Sequence, residues 1–126
     1  MQIIVDTSVL IDYLRGFRQA KLGIDELKEN ESLGTISVIT EAEILSGKDC
    51  AAEGKRMKAL ELLQLFRKID VSSDIAQKAA EFRRNHGVAL DDCIIAATAF
   101  REKCTIWTKN AEDFRRIKEI EVKDPY

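Results

Sequence analysis

Gln2-Ile3-Ile4-Val5-Asp6-Thr7-Ser8-Val9-Leu10-Ile11-Asp12-Tyr13-Leu14 opens the chain with an apolar run, one acid and two hydroxyl residues in succession. Residues 2–5 read as a short buried strand, because aliphatic and β-branched side chains fill them. From Ser8 the period changes. Val9, Leu10, Tyr13, Leu14 and Phe17 recur at helical spacing and predict an amphipathic helix. A strand that passes directly into a helix is the unit from which parallel sheets are built.

The same alternation continues outward. Gly16 breaks the first helix from a second that runs to about Lys28, and Gly34 to Val38 reads as the next strand. A short helix from Thr40 to Leu45 ends at Ser46-Gly47, and a longer helix over 53–68 carries apolar side chains on more than one face. Ile69-Asp70-Val71 reads as a strand, and Ser73 or Asp74 caps a helix with Ile75, Ala79 and Phe82 on one side. Asp91 to Lys103 is the most apolar helix, followed by strand Cys104–Trp107, helix Asn110–Ile117 and strand Ile120–Val122. The expected fold is α/β, a single domain over residues 1–126 with a mainly parallel central sheet flanked by helices.

Composition narrows the chemistry. The 126 residues hold 20 basic and 22 acidic side chains, a formal charge of −2, which argues against coating nucleic acid through a broad basic field. An enzyme that grips a few phosphates locally is still allowed. Cys50, Cys93 and Cys104 are odd in number and lack paired spacing, so reduced thiols and a cytoplasmic setting are expected. No signal segment is expected, and no apolar run approaches the roughly 20 residues that span a bilayer. His86 is the only histidine and reads as a helix-end residue suited to the dipole. Trp107 reads as core. No phosphate-cradling glycine loop is present. The chemistry must rest on carboxylates.

Sheets of this class place their sites beyond the carboxyl ends of the strands. Asp6 follows the first strand, Glu43 lies a helical turn past the second, Asp92 begins the apolar helix, and Asp113 lies a turn past strand 104–107. Each acid alone has an ordinary explanation. Asp6-Thr7-Ser8 are good capping residues, Thr40-x-x-Glu43 fits a capping box, and Asp91-Asp92 and Asn110-x-x-Asp113 suit helix starts. Capping does not explain why all four converge on one edge. Converging carboxylates repel, and a hard divalent cation relieves that conflict. Oxygen donors without histidine or thiolate suit Mg²⁺, with Mn²⁺ possible, for hydrolysis of a phosphodiester.

Four segments carry a resemblance across nearly the whole chain: Ile4–Leu10, Ile36–Gly47, Leu90–Ala99 and Thr108–Phe114. In order and spacing they resemble PIN-domain ribonucleases, most closely the VapC-type toxins of toxin–antitoxin pairs. The resemblance implies metal ligands at Asp6, Glu43 and Asp92, with Asp113 as the fourth acid, and Ser8, Thr108 and Asn110 behind them. It selects Glu43 over Glu41 and Asp92 over Asp91. It also implies a metal-dependent endoribonuclease that cuts tRNA or rRNA, a homodimer, and a cognate VapB-like antitoxin.

Tyr13, Phe17, Leu60 and Leu63 are the candidates for an antitoxin groove, with core packing as the alternative for each. Arg15, Lys48, Lys109, Arg115 and Arg116 are candidates for holding RNA phosphates, with solvated helix surface as the alternative. Asp12 reads as a solvated helix residue. Two other functions stay open on the sequence. One is a catalytically silent PIN domain that binds RNA or protein. The other is a receiver-like phospho-signalling domain, tempted by Thr108-Lys109 but lacking an acidic pair after the first strand and an acceptor Asp ending a middle strand.

Overall fold

Along the first strand, side chains alternate between two separate cores. Ile3 and Val5 face one apolar cluster and Ile4 faces another, as the period of two along a strand requires. A strand buried on both faces needs helices above and below it. The computed structural model, which describes residues 2–29 and 34–126, supplies them. β1 (Ile3–Val5), β2 (Gly34–Ser37), β3 (Arg67–Ile69), β4 (Thr105–Trp107) and β5 (Glu121–Lys123) form one sheet in the order β3-β2-β1-β4-β5. All four strand pairs are parallel, so the sheet is wholly rather than mainly parallel.

The helices divide between the faces according to which core they fill. α1 (Thr7–Leu14), α2 (Arg18–Glu29), α3 (Val38–Leu45) and α4 (Glu53–Leu63) pack Val9, Leu10, Ile24, Leu27, Leu62 and Leu63 against Ile3, Val5 and Trp107. A 3₁₀ turn at Lys48–Ala51 joins α3 to α4. On the other face, α5 (Ser73–His86), α6 (Leu90–Glu102) and α7 (Ala111–Phe114) bring Ile75, Phe82, Ile95, Phe114 and the following Ile117 onto Ile4 and Ile106. Phe82 is fully buried and meets Phe100 edge-on, with ring centroids 6.0 Å apart. The chain steps outward from β1 through β2 to β3, then crosses back to β4 on the other side of β1. That reversal places a crevice at the carboxyl ends of β1 and β4.

Several element boundaries differ from the sequence reading, each for a local reason. β2 ends at Ser37 and α3 starts at Val38, because the Ser37 side chain caps the helix by accepting from the Ile39 amide at 3.2 Å. α4 stops at Leu63, not at 68, and the strand falls on Arg67–Ile69 instead of 69–71. Past this break the Phe66 ring covers β2, lying where a Cβ on Gly34 would come within 2.8 Å, an approach that glycine permits. Ser72, not Ser73 or Asp74, caps α5 by accepting from the Ile75 amide. Gly87 ends α5 with φ of +68°, a conformation that glycine adopts at little cost. α7 is a single turn, far shorter than Asn110–Ile117.

Candidate active site

The crevice begins at Asp6, whose amide donates to the Trp107 carbonyl at 2.8 Å and so extends the β1–β4 ladder by one residue. Asp6 is buried and stands at the N-cap position of α1, yet its carboxylate makes no capping bond. Its Oδ2 accepts instead from Ser8 Oγ at 2.8 Å and from Thr108 Oγ1 at 2.8 Å. Both bonds fall on Oδ2, so among the described residues Oδ1 is left for a ligand. Thr108 Oγ1 also accepts from the Asn110 amide at 2.8 Å, and Asn110 Nδ2 donates to Asp113 Oδ2 at 3.0 Å. Ser8, Thr108 and Asn110 thus link the first acid to the fourth.

Glu43 is no capping-box residue. Thr40 lies inside α3, fully buried, with its hydroxyl 3.0 Å from Thr7 Oγ1, and Thr7 Oγ1 donates to Glu43 Oε1 at 2.9 Å. Asp92 stands in the first turn of α6, where the N-cap Ala89 has no side chain to offer and Asp91 Oδ1 accepts the Asp92 amide at 2.9 Å. Asp6 and Glu43, whose single explanation was a helix cap, thus bond to hydroxyls instead of to helix-start amides.

The electrostatics show the convergence. Asp92 is pushed up from the ordinary carboxylate range to about 7, first by burial, then by the charges of Asp6, Asp91, Glu43 and Asp113. Glu43 is pushed up to about 6, first by burial; the Thr7 bond opposes this, and Asp91 raises it by hydrogen bond and charge, followed by Asp6. Of the expected four acids, Asp6, Glu43 and Asp113 therefore all lie near enough to raise Asp92. Asp91 is a fifth that the sequence reading set aside, and its adjacency to Glu43 is visible only once α3 and α6 are packed together.

All donors in this cluster are hard oxygens, and burial together with four neighbouring carboxylates raises Asp92. That donor set fits Mg²⁺ or Mn²⁺. Among the described residues, no three of these side chains stand close enough to grip an ion by themselves. Mg²⁺ characteristically takes one or two carboxylates and completes its shell with water and substrate oxygens, which suits such a cleft.

The raised groups make metal-free stability fall with pH. A carboxyl that binds its proton more tightly when folded stabilises the fold at low pH and loses that contribution as pH rises through its folded value. Between about pH 4 and pH 7 the metal-free protein is expected to lose on the order of 1–2 kcal/mol, because both groups keep solvent contact that screens the full Coulombic penalty. Urea unfolding at pH 5 and pH 7.5 in chelator tests this, and equal stability at the two values contradicts it.

The remaining candidates scatter. Arg15, Lys48, Lys109, Arg115 and Arg116 are all exposed, and Arg116 donates to the His86 carbonyl at 2.7 Å. Phe17 is exposed, while Tyr13 and Leu60 are half-buried. Leu63 is 0 % exposed in the α1–α4 core, so it offers no surface to a groove, and its earlier assignment is corrected. Asp12 is not freely solvated: it is half-buried and accepts from the Tyr126 hydroxyl. His86 ends α5, with Nε2 3.3 Å from Glu119 Oε1, and Trp107 lies in the core. Cys50, Cys93 and Cys104 are buried free thiols.

The model of the PIN domain family matches residues 3–120. Ribonuclease VapC1 of Methanocaldococcus jannaschii is 33% identical over 97% of this chain and 85% of its own length. Ribonuclease VapC of Rickettsia bellii is 31% identical over 97% of this chain and 95% of its own. A solved toxin–antitoxin complex from Klebsiella pneumoniae contains a chain that superposes with a TM-score of 0.82, at 31% identity, covering 99% of this chain and 98% of that one. On this match and these relatives, the chain belongs to the PIN domain family, as a member of its VapC type.

Proposed function

We propose that this protein is a divalent-metal-dependent endoribonuclease that acts as the toxin of a toxin–antitoxin pair. The observation that carries the reading is the gathering of Asp6, Glu43 and Asp113 about Asp92, whose carboxyl is pushed up to about 7, first by burial and then by their charges and that of Asp91. The ribonuclease names of the relatives and the toxin–antitoxin title of the Klebsiella structure support it. The ion's ligands would come from Asp6, Glu43, Asp92 and Asp113, one or two directly and the others through water, since among the described residues no three stand close enough to grip it together. When bound, the ion neutralises the acids and supplies the Lewis acidity that phosphodiester hydrolysis needs. Ser8 and Thr108 would hold Asp6 through its Oδ2, and Asn110 would hold Asp113 through its Oδ2. Thr7 orients Glu43.

A single-stranded or loop segment of tRNA or rRNA is the substrate class, a VapB-like antitoxin the inhibitor, and a homodimer the working state in the cytoplasm. No described helix is long and apolar enough to cross a membrane. The test is cleavage of RNA by antitoxin-free protein. Cleavage is expected with Mg²⁺ or Mn²⁺, to be lost in chelator and restored by adding the ion back. Protein that binds metal yet cuts no RNA, structured or single-stranded, would instead be a binding module.

A further inference from the structure

Beside the acids lies a feature of opposite charge. Lys109 follows Thr108, and its amide donates to Ser8 Oγ at 3.2 Å, so its place is tied to the hydroxyls that hold Asp6. The Lys109 ammonium is already engaged. Nζ donates to Asp124 Oδ1 at 3.1 Å and to the Tyr126 carbonyl at 2.7 Å, and it lies over the Tyr126 ring, 4.6 Å from the centroid. Asp124 Oδ1 also accepts the Tyr126 amide at 3.3 Å. Tyr126 is anchored in turn, with its hydroxyl on Asp12 of α1 and its ring against the α1–α4 core. Arg115, just past α7, adds its charge to Lys109 in drawing on the Asp124 carboxylate.

An anionic oxygen is thus held by a lysine, one residue from the group that positions Asp6, with the charge of Arg115 also acting on it. The pair is open to solvent, with side-chain exposures of 36% for Lys109 and 46% for Asp124, and exposed ion pairs are weak enough to exchange. A phosphodiester oxygen offers the same charge to the same lysine, which binds it as a point charge. We propose that Lys109 is the seat for a backbone phosphate of the RNA strand at the active site, and that Asp124 occupies this seat at rest as a surrogate anion which the strand displaces. The proposal rests on the ribonuclease reading. It gives an acidic cleft a local way to receive a polyanion without a broad basic field.

Because Asp124 and the phosphate compete for the same lysine, their effects are coupled. The test uses the full chain carrying Asp6→Asn to suppress cleavage, with a short single-stranded oligoribonucleotide as probe and Kd as readout. Asp124→Asn is expected to tighten binding roughly three- to ten-fold at low salt, and Lys109→Ala to loosen it by a similar factor. In the Lys109→Ala chain, Asp124→Asn is expected to change Kd by less than about two-fold. Adding Lys109→Ala to Asp124→Asn should also flatten the dependence of log Kd on log salt by about 0.7, which a local structural change does not produce. Binding that both substitutions leave unaltered overturns the seat alone. If no variant binds the oligoribonucleotide at any salt, the ribonuclease reading falls and takes the seat with it.

Discussion

Replacing Asp6 with Asn is expected to lower RNA cleavage by about 10³-fold or more while leaving the metal-free fold intact. Asn keeps the shape of the side chain and an oxygen to accept from Ser8 and Thr108, both of which reach Asp6 at 2.8 Å. It removes the charge that would face the ion and the first of the four carboxylates acting on Asp92. Asp92→Asn is expected to act in the same way from the opposite side of the cleft. Single-turnover cleavage under saturating Mg²⁺, beside thermal unfolding of the same samples, separates lost chemistry from lost structure. Activity within a few-fold of the parent in both variants would move the reactive centre elsewhere.

The second large effect is on stability. Phe82→Ala is expected to cost about 3–5 kcal/mol, since the ring is fully buried and leaves a cavity between α5, α6 and the sheet. Against a typical total of about 5–15 kcal/mol, such a loss brings the domain near its unfolding threshold. α6 also carries Asp92, so cleavage by this variant should fail at lower temperature than in the parent. Urea unfolding with an unchanged m-value measures the cost. A loss under about 1.5 kcal/mol would show that the helices close over the gap and that the ring matters less than its burial implies.

Much of this was legible in the residues, and the parts that were not share a cause. Ile3-Ile4-Val5 followed by a helical stripe is enough to place a buried strand and its crossover, and the four acids after strand ends mark one edge of the sheet. Local patterns were weakest where tertiary contact decides. Leu60, Leu62, Leu63, Leu65 and Phe66 read as one continuous helix, yet Phe66 turns away to cover β2 over Gly34. Thr40 and Glu43 have capping-box spacing, but Ser37 takes the cap and leaves Thr40 to bond Thr7, 33 positions away. Asp91 and the Asp12–Tyr126 bond were missed for the same reason. No spacing rule reports on partners from opposite ends of a chain.

The sheet order has a consequence for how the protein is made. β1 precedes the other four strands in the chain yet lies at the centre of the sheet, and its neighbour β4 is the fourth strand in order. Asp6 receives its second hydroxyl from Thr108, 102 residues downstream, so the site waits on a long stretch of chain. A translation product that stops short of β4 has no crevice, no Thr108 and no Asp113. A fragment that ends before β4 is expected to cleave no RNA. For a protein proposed to cut the RNA that translation depends on, topology alone ties activity to synthesis of the chain through Asp113.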